Sequence, residues 1–251
     1  MVPHPRGFAI VLAVLWLVSG LVGSAEAGII LQTPAGLNPG DHFRFVFVTD
    51  GIRDATSTNI ADYDSFVNTQ AGEATYNGVV VNWLAIGSTG SVNAIDHVGQ
   101  ASTPVYLSNG TLVTTSTTAA GLWSGALVHQ VNLDLADNIV PPVNFVWTGT
   151  NPTGTGSGGP LGSATPQTGA NTDTAGSWIS SGRSPDGDLR DLYGISSDLA
   201  VPQSVVPEPA TLTMVGTALS VGLAIGWTRH HRSRRRHRPE AEIGVRSAHA
   251  P

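Results

Sequence analysis

The sequence predicts an α+β fold for residues 28–203, with many short strands and few, short helices. Three features predict it. Short runs of branched and aromatic residues are separated by turn-forming residues; one segment places its apolar residues at helical spacing; and one long stretch consists mainly of Gly, Thr, Pro, Ser and Asn. Short β-prone runs between turns are typical of strands, while apolar residues three and four apart are typical of a surface helix.

The first half of residues 28–203 is predicted to contain two strands, a helix and a hairpin. Residues 41–49 alternate apolar and polar side chains before becoming apolar, and 79–86 are apolar enough for a buried strand. Residues 59–67 have apolar side chains at helical spacing, which predicts a short amphipathic helix. In 104–113, Asn109-Gly110 stands between two β-prone runs and predicts a hairpin with a type I′ turn.

The second half is predicted to be less regular. A short helix or a turn around Trp123 is predicted over 118–127, and strands over 143–148 and 191–196. Between these strands, 149–176 offers almost no apolar side chain to bury. Because such a stretch cannot offset its ordering entropy by burial, it is predicted to be a long Gly/Thr-rich surface loop.

Composition excludes several kinds of chemistry. The chain has no cysteine, so it forms no disulfide, no thiolate metal site and no thiol nucleophile. Within residues 28–203, four arginines stand against fourteen acidic residues, which gives a net charge of −10. Because such a surface repels phosphate groups, nucleic acid is not expected as a partner. Divalent cations and neutral glycans are compatible with it.

The first 27 residues have the three parts of a secretion signal peptide. Arg6 supplies a positive charge, residues 8–22 form an apolar run, and the small residues Ala25 and Ala27 form an A-x-A cleavage site. We expect cleavage after Ala27, which makes residue 28 the first of the exported protein. The alternative, an uncleaved N-terminal anchor, is disfavoured by the position of the A-x-A site.

The C-terminal region has a Pro-Glu-Pro motif, an uncharged apolar segment and an arginine-rich run, in that order. An 18-residue helix spans about 27 Å, just enough for a hydrocarbon core. Arginines directly after such a span stay in the cytoplasm, which predicts a transmembrane helix with the acidic domain outside. The parts are the linker 204–209 with Pro207, Glu208 and Pro209, the segment 210–227 and the tail 228–251.

Together these three parts resemble the PEP-CTERM sorting signal of Gram-negative bacteria, a segment also labelled as an ice-binding protein C-terminal domain. The resemblance covers residues 205–238. It implies that an exosortase in the inner membrane cleaves near the motif and that the protein then passes to the cell envelope or the extracellular polysaccharide. The chain departs from the pattern in one respect, because residues 239–251 follow the arginines.

A second resemblance is carried by residues scattered through the exported domain. They are Trp83, Ser88, 94–96, 104–106, Gly110, Thr111, Leu122, Trp123, 146–150, Trp178 and 192–194. In this order they resemble a C-type-lectin-like domain of the bacterial, endostatin-related subgroup, which implies the fold. Many relatives have disulfides and this chain has none. The Glu-Pro-Asn, Gln-Pro-Asp and Trp-Asn-Asp motifs of calcium-dependent sugar binders are also absent, so no sugar site is implied.

The exported domain has no recognisable catalytic constellation. Its histidines are His42, His97 and His129, and it has no G-x-S-x-G motif to mark a nucleophilic serine. Asp96 and His97 are adjacent, and on a strand their side chains would point to opposite faces. The sequence therefore predicts a protein that is not an enzyme, with histidines that are structural or exposed.

One carboxylate group is dense enough to suggest a metal. Asp186, Asp188 and Asp191 lie close together around a glycine, and calcium prefers several oxygens on a flexible loop. The simpler interpretation is a solvated acidic turn, and no other cofactor is predicted. A weaker candidate of the same kind consists of Asp134, Asp137 and Asn138.

Four tryptophans complete the set of candidate residues. They are Trp83, Trp123, Trp147 and Trp178. They either line a sugar platform or form the core, and the core is the simpler interpretation because other aromatics are few. The sequence thus predicts an exported cell-envelope or extracellular-matrix protein with a structural, adhesive or carbohydrate-associated role. Its expected partners are an exosortase-type enzyme, the membrane and extracellular polysaccharide. The alternative is a secreted hydrolase of matrix polymer, which needs two carboxylates across a cleft.

Overall fold

The computed structural model describes residues 28–141 and 145–203. In these two ranges the structure is rich in strands and has few helices, which confirms that part of the prediction. The signal cleavage site, the Pro-Glu-Pro motif, the apolar segment and the arginine-rich tail lie outside the described residues. Within them, no helix is long and apolar enough to cross a membrane.

The described elements follow one another in this order. The strands are β1 Ile30–Leu31, β2 His42–Val48, β3 Thr75–Tyr76, β4 Val79–Val80, β5 Trp83–Ala85, β6 Val105–Tyr106, β7 Leu112–Thr114, β8 Phe145–Trp147, β9 Gln167–Ala170, β10 Gly182–Arg183, β11 Tyr193–Ser196 and β12 Leu199–Ala200. The helices are α1 Ile60–Ala71, α2 Ala94–Val98 and a short 3₁₀ helix at Gly176–Trp178.

Strand β2 is the centre of the main sheet, whose strand order is β5-β11-β2-β6-β7, with β12 also pairing with β2. Its side chains alternate between two hydrophobic clusters. Phe43, Phe45 and Phe47 belong to one cluster, while Val46 and Val48 belong to the other. Because successive side chains of a strand point to opposite faces, both faces of this sheet are buried. The strand predicted over 41–49 is confirmed.

Both ends of helix α1 are defined by capping residues. The Asn59 side chain accepts a hydrogen bond from the N–H of Ala61, which caps the N-terminus. Gly72 ends the helix with φ = +57°, a conformation that favours glycine. The buried face consists of Tyr63, Val67 and Ala71 at four-residue spacing. The predicted helix is confirmed, and it extends four residues beyond 67.

Helix α1 is fixed to β5 by two polar side chains. The Asn68 side chain accepts from the N–H of Trp83 at 3.0 Å and donates to its carbonyl at 2.6 Å. One turn earlier, the Asp64 carboxylate accepts from the N–H of Ala85 at 2.8 Å. Because Asp64 and Asn68 are four residues apart, they lie on one face of the helix and satisfy backbone groups of the outermost strand.

The single buried strand predicted over 79–86 is wrong. The segment forms β4, whose two valines are exposed, and β5, whose Trp83 and Ala85 are buried. Strands β3 and β4 form a hairpin through Asn77 and Gly78, which both have positive φ, as a type I′ turn requires. This turn ties β4 to a separate three-stranded sheet, β1-β3-β4, and so divides the apolar run.

The predicted hairpin of β6 and β7 is confirmed, but its turn type is wrong. Only Gly110 of the Asn109-Gly110 pair has positive φ, whereas a type I′ turn needs both. The N–H of Gly110 donates to the carbonyl of Leu107, and the N–H of Leu107 donates to the carbonyl of Thr111. The loop therefore has three residues, with Gly110 in the left-handed position of a bulge. The prediction over 118–127 is confirmed as hydrogen-bonded turns.

The long surface loop predicted over 149–176 is confirmed for 151–165, which is irregular and partly exposed, and is wrong for the residues that follow. The segment includes β9 at the centre of a sheet of order β10-β9-β8, and Gln167, Thr168 and Asn171 are buried. Its glycines allow backbones to approach closely: a Cβ on Gly169 would lie 2.1 Å from the carbonyl oxygen of Trp178. Small residues thus bury backbone groups that hydrogen-bond to one another, a mode of burial that composition alone does not reveal.

Strands β8 and β11 confirm the last two predicted strands within the described residues. β8 occupies 145–147 of the predicted 143–148. β11 pairs with both β2 and β5, so the end of the domain returns to its centre. Gly194 faces the aromatic side of the sheet, where a Cβ would lie 2.4 Å from the ring of Phe47. Its lack of a side chain makes room for that ring.

Candidate functional site

The four tryptophans of residues 28–203 lie in the interior of the described domain. Trp83, Trp147 and Trp178 have no exposed surface, and Trp123 is 2% exposed. The core interpretation is confirmed, and the sugar-platform interpretation is wrong, because a ring that stacks on a sugar needs an accessible face. Any ligand site must therefore be built from other residues.

Two arginines that the sequence did not single out are also structural. Arg53 and Arg190 pair through their backbones as an isolated antiparallel bridge. The guanidinium of Arg53 lies 4.3 Å from the ring centre of Tyr63, and that of Arg190 lies 5.3 Å from the ring centre of Trp147. Both groups therefore pack on aromatic faces as cation–π partners and brace the region around β8.

Each of the three histidines in residues 28–203 has a partner. The imidazole of His42 lies 2.5 Å from Asp198 at the surface, and that of His97 lies 2.9 Å from Asp64. The His129 ring lies 2.9 Å from the carbonyl of Gln130. Asp96 and His97 belong to helix α2, so the strand-based argument about their orientation is wrong. Asp64 also holds β5, so the His97–Asp64 pair joins the two helices to the main sheet.

The acidic residues of the Asp186–Asp191 group have different surroundings in the structure. The carboxylate of Asp188 lies 3.1 Å from the guanidinium of Arg190, whereas Asp191 is only 1% exposed and lies two residues before β11 begins. In the ranges 28–141 and 145–203, no three acidic or histidine side chains are grouped so as to hold a metal ion. Calcium binding by this group stays a prediction, which melting temperatures measured with calcium and with chelator would test.

Asp134, in the weaker candidate, organises a tight loop. One carboxylate oxygen accepts the N–H groups of Ala136 and Asn138 at 2.8 and 2.9 Å, and the other accepts the Asn138 side-chain amide at 2.9 Å. Asp137 has φ = +64° and accepts a hydrogen bond from the Ser108 hydroxyl at 2.6 Å. Loops closed by an Asp side chain in this way are a common local motif, so these contacts alone indicate structure.

The same loop forms one wall of a cleft, which we call the acid–amide cleft. The opposite wall comes from the end of β2 and the last turn of α1, and the volume is about 220 Å³. Asp50 lies at the rim and is exposed, while Phe47 and Leu135 are buried beneath. The lining residues are Ile29, Phe47, Val48, Asp50, Gln70, Asp134, Leu135, Ala136 and Asn138.

A second cleft, of about 290 Å³, is lined by small residues. Its walls come from the loops around residues 58, 90 and 160–163, and it contains no charged side chain. The Ser163 hydroxyl donates to the carbonyl of Pro160, so this hydroxyl serves the loop itself. This second cleft offers fewer polar groups that could orient a ligand than the acid–amide cleft does.

The acid–amide cleft combines carboxylates with side-chain amides, which can hydrogen-bond to a ligand. It contains two carboxylates, but Asp134 already accepts three hydrogen bonds and Asp50 is exposed to solvent. A glycosidase needs one carboxyl group in an apolar setting that keeps its proton. The three hydrogen bonds of Asp134 and the exposure of Asp50 differ from that arrangement.

Sequence analysis identified Asp134 and Asn138 but missed Asp50 and Gln70. These two follow or end regular elements, β2 and α1, where a polar side chain is common. The one available signal was the position of Asp50, a polar residue two places beyond the end of a buried strand. Comparison with known proteins adds nothing to these assignments, since no family model and no curated protein matches the chain.

Proposed function

We propose that this chain is an exported cell-envelope or extracellular-matrix protein with a structural, adhesive or carbohydrate-associated role. The observation that carries the proposal is the order of three features near the C-terminus: Pro207-Glu208-Pro209, an uncharged apolar segment and a run of arginines. The A-x-A site before residue 28 supports export as well, because the described domain forms its own hydrophobic core from residue 31 onward.

We further propose that the exported domain has a C-type-lectin-like fold. Support comes from the positions of the residues that carry the resemblance, because Trp83, Trp147 and Trp178 are fully buried. Strand β2 pairs with β11 and β12, so the last strands of the domain lie beside its central strand. Such pairing is compatible with the proposed fold. A solved structure of residues 28–203 compared with lectin-like domains would test this.

The role proposed for the domain is binding or scaffolding, without catalysis. The described histidines pair with carboxylates or a carbonyl. In the acid–amide cleft, Asp134 is bonded to its own loop and Asp50 is exposed. A secreted hydrolase is the competing function. Hydrolysis of neutral polysaccharide by the purified domain, abolished by Asp50→Asn, would favour it.

Cell fractionation with mass analysis of both termini tests the export proposal. We expect a mature chain that begins at residue 28, lacks the arginine tail and is found in the envelope or medium. In the variant Glu208→Ala we expect the tail to be retained, because the sorting motif is altered. The matched control Glu240→Ala, in the tail beyond the arginines, should be processed normally. Recovery of full-length wild-type protein in the cytoplasm would contradict the proposal.

A further inference from the structure

The Asp50 wall of the acid–amide cleft is held rigidly. On one side of Asp50, the N–H of Thr49 donates to the carbonyl of Leu192 at 2.9 Å. On the other side, the N–H of Gly51 donates to the Gln70 side-chain oxygen at 2.7 Å. Because the Gln70 oxygen is used in this bond, its side-chain NH₂ group is the part that remains to serve the cleft.

The opposite wall is equally fixed. Asp134 is 9% exposed, and its three hydrogen bonds leave acceptor capacity on the oxygen that Asn138 contacts. The Asn138 amide, whose nitrogen donates to Asp134, keeps its oxygen as an acceptor. The N–H of Val48 donates to the carbonyl of Leu133 at 2.8 Å and joins this loop to the strand that precedes Asp50. This bond connects the two walls of the cleft directly.

The cleft thus presents one amide donor and several acceptors, with accessible apolar surface from the half-buried Ile29 and the exposed Ala136. Adjacent hydroxyl groups of a pyranose ring each donate and accept a hydrogen bond, and its C–H faces pack on apolar surface. A carboxylate is a stronger acceptor for such hydroxyls than a neutral group. The arrangement matches the chemistry of one sugar residue.

Charge and size limit the ligand further. The lining contains two carboxylates and no basic side chain, so uronic acids and phosphorylated sugars are repelled. The volume of about 220 Å³ accommodates one ring and not an oligomer. We infer that the acid–amide cleft binds an uncharged pyranose residue, such as the exposed end of a neutral polysaccharide. This inference rests on the proposed carbohydrate-associated role and specifies its ligand.

The test uses amide NMR spectra of isotopically labelled exported domain, residues 28–203. Methyl glycosides of glucose, mannose and galactose are added, and methyl glucuronide serves as the acidic probe. We expect a neutral glycoside to shift the amide signals of residues 50, 135, 136 and 138, with a dissociation constant on the order of 1 mM for so small a ligand. The glucuronide should cause no shift at these residues.

Two variants make the test specific. Asp50→Asn keeps the shape of the side chain and removes its charge, so the affinity should fall about tenfold. The matched control Asp96→Asn alters an exposed acid on α2, outside the cleft, and should bind like the wild type. Unchanged signals outside residues 48–52 would show that Asp50→Asn is folded.

Three results would overturn the inference. They are no shift with any neutral glycoside up to about 50 mM, shifts that Asp50→Asn leaves unaltered, and shifts that map to the second cleft. The result does not depend on cell fractionation. Sugar binding with a cytoplasmic full-length chain would sink the export proposal alone, and an exported chain with no shift would sink the cleft inference alone.

Discussion

The domain buries two regions of opposite composition. The aromatic cluster consists of Phe43, Phe45, Phe47, Tyr63 and Trp83, with Phe47 and Trp83 in edge contact at 4.9 Å. The glycine–threonine layer, residues 148–171, has no aromatic residue, yet Thr148 and Thr150 have no exposed surface. The first region gains stability from apolar area removed from water. The second brings backbones close and satisfies their polar groups internally.

This difference shows that two kinds of burial leave different traces in a sequence. A large side chain signals its burial through its type and spacing, whereas a glycine has no side chain whose pattern could be detected. In the layer, the Thr148 hydroxyl donates to the carbonyl of Ile179 at 2.6 Å, and the Thr150 hydroxyl donates to the Ser88 oxygen at 2.9 Å. Each region should therefore respond to a different kind of substitution.

The largest effect is expected for Gly169→Ala. The added methyl group would lie 2.1 Å from the carbonyl oxygen of Trp178, and backbone cannot move aside as a flexible side chain can. We expect a loss of at least about 4 kcal/mol in the free energy of unfolding, measured by urea denaturation. The control Gly187→Ala, with nothing within 4 Å of the added atom, should change it by less than about 1 kcal/mol. Equal effects at both positions would refute close packing of the layer.

A smaller loss is expected for Phe45→Ala in the aromatic cluster. Phe45 has no exposed surface and lies 5.2 Å from Phe43, so its removal leaves a cavity. We expect a loss of about 3–4 kcal/mol in the same denaturation experiment. Phe145→Ala is the matched control, since that side chain is 44% exposed, and should cost less than about 1 kcal/mol. A mild effect of Phe45→Ala would mean that this cluster is not a core.

Thr148 distinguishes hydrogen bonding from apolar burial within the layer. Thr148→Val keeps the shape but leaves the carbonyl of Ile179 without its donor, at a cost of about 2 kcal/mol. Thr148→Ser keeps the hydroxyl and loses one methyl group, at about 1 kcal/mol. We expect valine to be the more damaging of the two in thermal or urea unfolding. The reverse order would show that the layer behaves like the aromatic cluster.

The smallest effect concerns alkaline pH. Burial raises the pKa of Tyr63 to about 12, and burial followed by repulsion from Asp191 raises that of Tyr193 as well. Unfolded tyrosine loses its proton near pH 10. The folded state therefore binds more protons above this pH, and its stability falls as pH rises from about 10 toward 12. Tyr63→Phe should flatten this fall in pH-dependent urea unfolding; an unchanged slope would contradict the assignment.

The elements that were predicted correctly from the sequence have a periodic pattern of apolar residues. Strand β2 alternates and helix α1 repeats every four residues, so both were found with nearly the correct bounds. The two Asn-Gly pairs show the limit: Asn77-Gly78 closes a two-residue loop and Asn109-Gly110 belongs to a three-residue loop. The register of the flanking strands decides between them, and that depends on contacts far along the chain.

The acid–amide cleft was predictable only in part for a similar reason. Asp134 and Asn138 are neighbours in sequence and could be suspected together. Asp50 and Gln70 come from separate elements, and only the folded chain brings them to the same cleft. No local sequence pattern indicates that these residues are close in space. Their proximity results from the way β2, α1 and the 134–138 loop pack together.

The attachment of α1 to β5 affects the tendency of the domain to aggregate at high concentration. A sheet whose outer strand is open can recruit another molecule and grow into an aggregate. Here Asp64 and Asn68 occupy the outer groups of β5, and the other end of the same sheet is engaged as well, since the carbonyl of Val113 accepts the N–H of Val128. At high concentration, copies of this domain would therefore contact one another through side chains and would not pair through the edges of this sheet.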